Sequence, residues 1–522
     1  MPSEEKKRIA VIGAGPAGLT AAWALSQQED CDVTVFEQSE AFGGISRTVQ
    51  HGGNRMDIGG HRFFSKSQEV CELWGHFMPV QGAPALDDAL LGREKPLNPG
   101  GPDPQREDRV MLVRERVSRI YYLKKFFDYP ISLKWQTIKN LGFVRMMKAG
   151  FSYLAAMLHK LPETSLENFY INRFGRELYS MFFEKYTEKL WGRHPSEISA
   201  DWGAQRVKGL SVIAVVKDMF AKLFGKKSAE NTETSLIEQF IYPKFGPGQL
   251  WETVAAEAEK SGVKIEKNAR VSALTVKNGR IASLTVEGGV SREIEADYVL
   301  SSMPIKDLVG SVRGDMPGER IAQLAADLPY RDFVTVGLLV NRLALVNDTG
   351  IKTLANIVPD CWIYVQDAGV TLGRIQVFNN WSPYMVADPE HTVWVGLEYF
   401  CAEGDEFWCM DDGERLAYAM GELKRMGVLE PDCEALDSHC ERVPKAYPAY
   451  FDSYANIDEI VEYLDSIENL ACIGRNGQHR YNNMDHSMLT ALRAADWVLG
   501  SADRAAVWNV NTESEYHEQK ES

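Results

Sequence analysis

The sequence lacks several features that would each point to a particular class of protein. It has no excess of positive charge, because 57 lysines and arginines stand against 73 aspartates and glutamates among 522 residues, a formal net charge of −16. This balance argues against a nucleic-acid-binding protein. None of its eight cysteines forms a CxxC pair, and no Cys/His spacing is typical of zinc, so no metal site is predicted. No run of about twenty apolar residues is present, so no transmembrane helix is predicted.

The ends and charge pattern of the chain bear on its location. Residues 1–7 are charged and lead directly into a strand, without an apolar signal region. Together with scattered cysteines in mostly apolar surroundings, this predicts a cytoplasmic protein with reduced thiols. Basic residues lie among apolar ones at Arg145, Lys148 and Lys160, and four more lysines follow in 217–227. Such a pattern is more often a solvated helix face, but it also fits a surface helix in peripheral contact with a membrane.

A dinucleotide-binding motif opens the chain. Residues 8–12 predict a buried strand and 19–25 an apolar helix, and between them Gly13-Ala14-Gly15-Pro16-Ala17-Gly18 fits GxGxxG in the required context. The first glycine allows a tight turn, the second lets the backbone approach a pyrophosphate, and the third allows close helix–strand packing. The next strand, 32–37, ends in Glu37, whose carboxylate suits the hydroxyls of a ribose and would repel a 2′-phosphate.

The next two loops distinguish FAD from NAD. Gly43-Gly44 with a trailing Arg47, followed by Gly59-Gly60-His61, resembles the glutathione-reductase-like flavoproteins, in which these loops pass close to the pyrophosphate and the isoalloxazine. Residues 242–248 resemble that superfamily's turn before the adenine-side strand, and Gly474-Arg475 resembles the strand end that completes its flavin site. The resemblance implies FAD as the cofactor. The residues it assigns to FAD are Gly13, Gly15, Pro16, Ala17, Gly18, Glu37, Gln38, Gly43, Gly44, Arg47, Gly60, His61, Val271, Gly474, Arg475, Met484 and Asp485.

The predicted fold class is α/β, in three interlocked parts. Apolar residues at three- and four-residue spacing predict helices over 133–225, and strands are expected within 264–303 and near 333–341, 373–379 and 392–400. Residues 80–108 are rich in Pro, Gly and Asp and are expected to form an exposed loop or insertion. The expected parts are a discontinuous Rossmann-like FAD-binding domain (1–80, 236–300 and 465–500), an inserted helical domain (133–235), a mixed β-sheet substrate domain (109–132 and 301–464) and a polar tail (501–522).

A closer resemblance runs from residue 8 to about 495. Five short segments resemble UDP-galactopyranose mutases, and they occur in the same order as in that family. They are Gly59–Ser65; Phe183–Gly192 with Pro195, Glu197 and Arg206; Trp362–Tyr384 with Gly373-Arg374; Ala446-Tyr447-Pro448; and Gly474-Arg475 with Arg480-Tyr481 and Met484-Asp485. Trp381 departs from the pattern, because it stands where the resemblance suggests tyrosine.

This resemblance implies an activity. The mutases interconvert UDP-galactopyranose and UDP-galactofuranose without net redox change. Reduced FAD acts as the nucleophile: its N5 attacks the anomeric carbon, displaces UDP and forms an N5–sugar adduct. An NAD(P)H source is implied as electron donor, although the sequence has no second GxGxxG for a nicotinamide domain. The oligomeric state is left open.

The resemblance also assigns roles to individual residues. Arg206 and Arg374 would neutralise the leaving pyrophosphate, for which arginine forks are suited. His61 would lie beside flavin N5 and stabilise the reduced state. The residues expected to bind substrate are Tyr129, Tyr186, Trp191, Trp362, Tyr364, Asn380, Tyr447 and Tyr481.

Two other functions stay open. One is a redox flavoenzyme of the amine-oxidase or protoporphyrinogen-oxidase type acting on an apolar substrate; the set of arginines and tyrosines argues against it, because such a substrate needs no pyrophosphate clamp. The other is a non-catalytic protein that keeps FAD as a structural element. It fits less well, because many site-like polar residues are retained.

Overall fold

The computed structural model describes residues 6–129, 135–200 and 239–511. Its strands are β1 (Lys7–Ile12), β2 (Cys31–Phe36), β3 (Thr48–His51), β4 (Asn54–Asp57), β5 (Met111–Glu115), β6 (Ser118–Tyr122), β7 (Lys125–Asp128), β8 (Gln239–Pro243), β9 (Lys264–Glu266), β10 (Arg270–Lys277), β11 (Arg280–Glu287), β12 (Arg292–Ile294), β13 (Tyr298–Ser301), β14 (Val312–Gly314), β15 (Tyr330–Val340), β16 (Trp362–Val365), β17 (Arg374–Val377), β18 (Val393–Cys401), β19 (Asp437–Pro448) and β20 (Leu470–Cys472).

The helices of the described residues connect and cover these strands. They are α1 (Pro16–Ser26), α2 (Gln68–Phe77), α3 (Leu86–Leu91), α4 (Trp135–Leu141), α5 (Phe143–Leu158), α6 (Leu166–Tyr179), α7 (Lys185–Trp191), α8 (Pro247–Lys260), α9 (Ile305–Gly310), α10 (Glu319–Ala326), α11 (Phe378–Trp381), α12 (Glu406–Cys409), α13 (Asp412–Met426), α14 (Ile457–Asp465), α15 (Gly474–Gly477), α16 (Met484–Leu499) and α17 (Ala505–Trp508).

A five-stranded parallel sheet, in the order β20-β13-β1-β2-β9, carries the dinucleotide motif. β1 lies at its centre, and its residues from Ile9 to Ile12 are buried because helices and strands cover both faces. α1 packs against α8 and α16 on one face, around a core that includes Leu19, Trp251 and Met488. The carboxyl ends of β1, β2 and β13 therefore meet at one edge, where a ligand site is expected in such a sheet.

Two further sheets complete the framework. A four-stranded sheet, β12-β11-β10-β14, packs against the other face of the parallel sheet through a core that includes Ile12 and Leu274. A seven-stranded mixed sheet has the order β19-β15-β18-β17-β16-β6-β7. α13 covers it, and this helix begins with a capping box between Asp411 and Glu414. The strands expected near 333–341, 373–379 and 392–400 are confirmed as members of this sheet.

Helices α4 to α7 lie within the segment predicted to be helical. α5 packs on α6, and one π-helical turn, Ser180–Glu184, joins α6 to α7. The remainder of that prediction, residues 201–225, lies outside the described residues, as does Arg206. The strands of the parallel sheet fall within 7–36, 264–301 and 470–472. The division of the chain into domains stays a prediction.

The prediction of an exposed loop over 80–108 is partly wrong. This segment contains α3, in which Asp87 and Asp88 are buried. Arg114 on β5 forms two hydrogen bonds with Asp87, and Lys95 pairs with Asp88 at 2.9 Å. Buried carboxylates need such partners, so the ion pairs anchor the segment, although turn-rich composition indicated only solvent exposure.

The start of the tail is docked as well. Val507 on α17 is buried, its carbonyl accepts a hydrogen bond from Gln478 at 2.7 Å, and the Trp508 carbonyl accepts one from Arg480 at 2.7 Å. The expected polar tail therefore packs on the protein as far as these contacts reach. Residues 512–522 lie outside the described residues.

Candidate active site

The turn between β1 and α1 leaves open space above the helix N-terminus. Gly13 has φ +96°, and a Cβ at Gly18 would lie 1.8 Å from the Gly13 carbonyl oxygen, so the turn excludes side chains at both positions. Pro16 begins α1, and no side chain caps this helix. The free N–H groups of the first turn of α1 can therefore donate hydrogen bonds to an anion such as a pyrophosphate.

Glu37 follows β2 at the rim of this space. Its carboxylate accepts hydrogen bonds from the Ala14 N–H at 2.8 Å and the Ser39 N–H at 2.9 Å, which fix its position. Gln38 and Val271 line the same end of the space. A fixed carboxylate here is placed to accept hydrogen bonds from ribose hydroxyls.

Two loops close over the middle of the space. Gly44, which follows Gly43, approaches Gly15, and Arg47 forms an ion pair with Glu441 on β19 at 2.9 Å. A Cβ at Gly60 would lie 2.3 Å from the Trp362 ring, so only glycine lets this loop lie against β16. These contacts join the parallel sheet to the seven-stranded sheet around one cavity.

The C-terminal segment forms the opposite wall. Arg475 on α15 donates to the Asn482 carbonyl at 2.8 Å and to the Ala446 carbonyl at 3.2 Å. Its guanidinium lies 4.5 Å from the ring centre of Tyr481. Met484 and Asp485 begin α16, and Asp485 accepts a hydrogen bond from Ser65 at 3.0 Å. A second helix N-terminus thus faces the cavity.

The resulting cavity has a volume of about 700 Å³. It brings together most of the residues singled out in the sequence: Gly13, Gly15, Pro16, Ala17, Glu37, Gln38, Gly44, Arg47, Gly60, His61, Val271, Trp362, Tyr364, Arg374, Tyr447, Gly474, Arg475, Tyr481, Met484 and Asp485. Gly18 and Gly43 support the turns behind the wall. Two buried polar atoms on lining residues, Trp362 Nε1 and Asn476 Oδ1, have no hydrogen-bond partner in the described part of the chain. Two helix N-termini, a carboxylate at the rim and these atoms fit FAD.

Arg374 carries the charge of the far wall. Its Nε donates to the Tyr186 hydroxyl at 2.7 Å, and its Nη1 donates to the Glu398 carboxylate at 3.1 Å and to the Tyr447 hydroxyl at 3.3 Å. Glu398 is fully buried and lies opposite Arg374 on β18. Burial raises the pKa of Glu398, and the charge of Arg374 opposes that rise. Within the described residues Nη2 of Arg374 donates no hydrogen bond, so one side of the guanidinium stays open to a ligand.

Three tyrosines, Tyr186, Tyr364 and Tyr447, lie around this arginine. Burial raises the pKa of Tyr186 to about 12, and it also raises the pKa values of Tyr364 and Tyr447. Tyr447 stacks on Tyr481 with ring centres 5.8 Å apart. Because the hydroxyls of Tyr186 and Tyr447 accept from Arg374 and stay protonated, each keeps its own proton for donation to another acceptor.

Four predicted substrate residues do not line the cavity. Tyr129 stacks on Tyr364 at 4.3 Å between ring centres, and Tyr186 lies behind Arg374. Trp191 is buried in an apolar cluster that includes Tyr447. The Asn380 amide donates to the carbonyls of Val358 and Asp360, both at 2.8 Å, and so holds a loop. These four residues support the wall or lie away from it.

Glu398 was missed in the sequence. It stands in the apolar strand β18, where a single acidic residue in Val395-Gly396-Leu397-Glu398-Tyr399 was the available signal. A buried carboxylate in such a strand indicates a cationic partner. Which cationic residue pairs with Glu398 depends on the register of β17 and β18, which places Arg374 opposite it.

His61 is neutral in this wall. Its Nε2–H donates to the Ile45 carbonyl at 2.9 Å, which leaves Nδ1 as an acceptor. Burial, with a smaller contribution from the charge of Arg475, lowers the pKa of His61 to about 4. At neutral pH the imidazole therefore adds no charge to the cavity.

Asp57 is expected to make stability depend on pH. It is fully buried and accepts hydrogen bonds from Thr48 at 2.8 Å and from the Tyr242 hydroxyl. Burial raises the pKa of Asp57 to about 7, although these bonds oppose the rise. Folded Asp57 then holds a proton that the unfolded chain releases near about pH 4, so the free energy of unfolding falls as pH rises from about 4 to 7.

The Asp57→Asn variant tests this expectation by urea unfolding at about pH 5 and pH 8. Asparagine still accepts a hydrogen bond from Tyr242 but does not titrate. In the unchanged protein the free energy of unfolding is expected to fall by a few kcal/mol between these two pH values, and in the variant this fall is expected to disappear. Asp32→Asn is the control and keeps the original pH profile, because Asp32 pairs with Lys264 on the surface. An identical profile in all three proteins contradicts a raised pKa.

The parallel sheet, the glycine turn and the acidic residue after β2 define a dinucleotide-binding protein. A sequence profile of the flavin containing amine oxidoreductases matches residues 16–496. The chain belongs to this family, and the family supports FAD as the cofactor.

Individual relatives are more distant. The chain is 39% identical to coproporphyrinogen III oxidase of Mycobacterium bovis over 65 residues, which are 12% of this chain and only 14% of that protein. It is 22% identical over 527 residues to protoporphyrinogen oxidase 2, chloroplastic/mitochondrial, of Arabidopsis thaliana, with 94% of each chain covered. The crystal structure of reduced UDP-galactopyranose mutase superposes with a TM-score of 0.76 at 20% identity, covering 98% of this chain and 100% of that one. At this identity the likeness shows the fold, and the predicted α/β class is confirmed.

Proposed function

We propose that this chain is a nucleotide-sugar mutase that interconverts UDP-galactopyranose and UDP-galactofuranose, with reduced FAD as its cofactor. The observation that carries the proposal is the buried Arg374, held by Glu398 and two tyrosine hydroxyls in a cavity wall. Glu398 balances the charge of this guanidinium, but among the described residues its Nη2 has no acceptor, so an anion in the cavity can take up this donor. The pyrophosphate of a nucleotide sugar is such an anion.

The phosphate contacts follow from the hydrogen bonds of this cluster. Arg374 presents Nη2, and the protonated hydroxyl of Tyr447, which also lines the cavity, is a neutral donor. Charge-assisted bonds of this type are strong where water is excluded. Arg206 would supply the second cation, an assignment that rests on the resemblance because Arg206 lies outside the described residues.

The cofactor would lie between the glycine turn and His61. Gly15, Glu37, Arg47 and the N-terminus of α16 would hold it, and when bound and reduced it supplies the nucleophilic N5. His61 would orient it through a neutral imidazole, which leaves Nδ1 as an acceptor. The chain's own contribution is therefore to bind, orient and neutralise charge.

Product formation from either UDP-sugar, followed by chromatography, tests the proposal. We expect interconversion by the dithionite-reduced protein and none by the oxidised protein, because only the reduced cofactor is nucleophilic. The reaction itself transfers no net electrons, so one reduction is expected to support many turnovers. Parallel reactions with NADH or NADPH in place of dithionite identify the electron donor. Failure of the reduced, flavin-containing protein to bind UDP or to isomerise either sugar contradicts the proposal.

A second candidate is a redox enzyme of the protoporphyrinogen-oxidase type. It is favoured by the 94% coverage of the match to the Arabidopsis thaliana oxidase. Oxygen consumption with an apolar substrate, in the absence of any nucleotide sugar, is the result expected of that activity. The cluster around Arg374 is the reason for placing it second, because an apolar substrate offers no acceptor to the Nη2 donor of Arg374.

A further inference from the structure

Helix α5 packs on the protein through its small residues. Its buried positions are Ala149 and Ala156, and the neighbouring Ser152 accepts a hydrogen bond from the Glu177 N–H at 3.1 Å. At Gly175 of α6 a Cβ would lie 2.7 Å from the Tyr153 nitrogen, so the two backbones are in close contact. The inner face of α5 therefore offers little apolar area to the core.

The large apolar residues of α5 point outward instead. Successive residues of a helix are about 100° apart, so these side chains form one continuous stripe along all four turns. The exposed fractions are 80% for Leu158, 75% for Phe143, 68% for Val144, 65% for Phe151, 55% for Leu154, 50% for Met157 and 44% for Met147. A helix of a soluble protein normally has the reverse arrangement, with large apolar residues inside. A contiguous exposed stripe of this kind marks an interaction surface.

Positive charge accompanies the stripe. The sequence has no aspartate or glutamate between Asp128 and Glu163, although the whole chain carries a net charge of −16. Lys148 is exposed at the edge of the stripe, and Lys160 is exposed beyond its end. Arg145 is exposed too, but at about 100° per residue it lies on the opposite side of the helix, near Ala149. An apolar stripe bordered by basic residues matches a surface with an apolar interior and anionic headgroups.

The length of α5 limits how it can contact such a surface. Its 16 residues extend about 24 Å, less than the roughly 30 Å hydrocarbon core of a bilayer. Among the described residues no helix combines the length and apolarity needed to cross a membrane. α5 can therefore lie in the plane of the headgroups but cannot span the bilayer.

We propose that α5 docks the protein on an anionic lipid bilayer, with Phe143, Phe151 and Leu158 inserted among the acyl chains and Lys148 on the headgroups. A second copy of the chain fits the surface less well, because an isologous pair faces this segment with itself, and residues 129–162 contain no aspartate or glutamate to pair with Lys148. The inference does not depend on the proposed activity.

Vesicle co-sedimentation of the full chain tests this inference, with vesicles of phosphatidylcholine alone or mixed with phosphatidylglycerol. We expect binding to the mixed vesicles, and about 100-fold weaker binding of Phe151→Glu/Leu158→Glu, because two large apolar side chains no longer insert. Lys148→Gln is expected to weaken binding to the mixed vesicles about fivefold and to reduce its salt dependence.

Matched substitutions separate docking from a general effect of charge. Val290 and Met316 are 78% and 65% exposed and lie far from α5 in the sequence, so Val290→Glu/Met316→Glu keeps the binding of the unchanged protein. Thermal unfolding checks that every variant is folded. The proposal is overturned if the unchanged protein stays in the supernatant, or if both glutamate pairs bind equally well.

The other occupants of the stripe give different results. If residues 201–238 of this chain cover α5, the unchanged protein does not sediment and Phe151→Glu/Leu158→Glu unfolds at a lower temperature. If a second copy covers it, light scattering detects an oligomer that this variant dissociates, again without vesicle binding. Either result contradicts lipid docking.

Discussion

Replacing Arg374 by lysine is expected to weaken UDP binding and to lower kcat/KM for the UDP-sugars by about 100-fold. Lysine keeps a positive charge beside the buried Glu398, so the carboxylate is not left unpaired. A single ammonium cannot reach Tyr186, Glu398 and Tyr447 together and still offer a donor to the phosphates, as the guanidinium does. The loss of one or two charge-assisted hydrogen bonds costs about 3 kcal/mol, which corresponds to the factor of 100.

A second, half-buried arginine on the same sheet provides the control. Arg119 on β6 pairs with the fully buried Asp360 at 2.6 Å, as Arg374 pairs with Glu398, but it does not line the cavity. Arg119→Lys is therefore expected to reduce the unfolding temperature without changing the affinity for UDP. UDP titration by calorimetry and steady-state kinetics measure both variants. Equal affinities in Arg374→Lys and the unchanged protein would mean that Arg374 does not contact phosphate.

The FAD half of the site was predictable because its signals are local. The turn from Gly13 to Gly18 needs a strand before it and a helix after it, and all three lie within about twenty residues. Gly60 is a different case: the sequence indicated a flavin loop, but the contact that excludes a side chain there comes from Trp362 on another sheet. A local sequence pattern therefore predicts the loop, whereas the need for glycine in it comes from a tertiary contact.

The far wall was less predictable because it depends on strand pairing. Arg374 was identified, but its partner Glu398 was not, since the two face each other only through the register of β17 and β18. Asn380 was expected to bind substrate, yet its amide is used by the carbonyls of Val358 and Asp360. A short motif names residue types but not which neighbours their polar atoms find.

Helix α5 illustrates a further limit of periodicity. Apolar residues at three- and four-residue spacing predicted the helix, and that is confirmed. The same pattern normally implies that the large apolar face is buried. Here the small residues Ala149 and Ala156 are buried instead. The spacing therefore predicted a helix with an apolar face, but not that this face is exposed rather than buried.

Replacing Gly15 by valine is expected to give a folded protein that no longer binds FAD. Gly15 has φ −82° and ψ −174°, which any residue adopts, and a Cβ there would meet only the Gly44 backbone, at 3.8 Å. The protein itself therefore tolerates the side chain. Its branches would occupy the space above the N-terminus of α1, where the pyrophosphate needs the free N–H groups, so we expect the flavin absorbance of the purified protein to fall at least about tenfold.

Gly310→Val separates this effect from a general cost of valine. Gly310 ends α9, and a Cβ there has no neighbour within 4 Å, so this variant is expected to keep its flavin. Unfolding temperatures of both apoproteins, measured after removal of the cofactor, establish whether each is folded. A Gly15→Val protein that is folded and carries a full complement of FAD would show that the pyrophosphate does not lie against this turn, and the proposed function would lose its cofactor site. A folded protein without flavin would place the pyrophosphate at the N-terminus of α1, where the glycine turn leaves room for it.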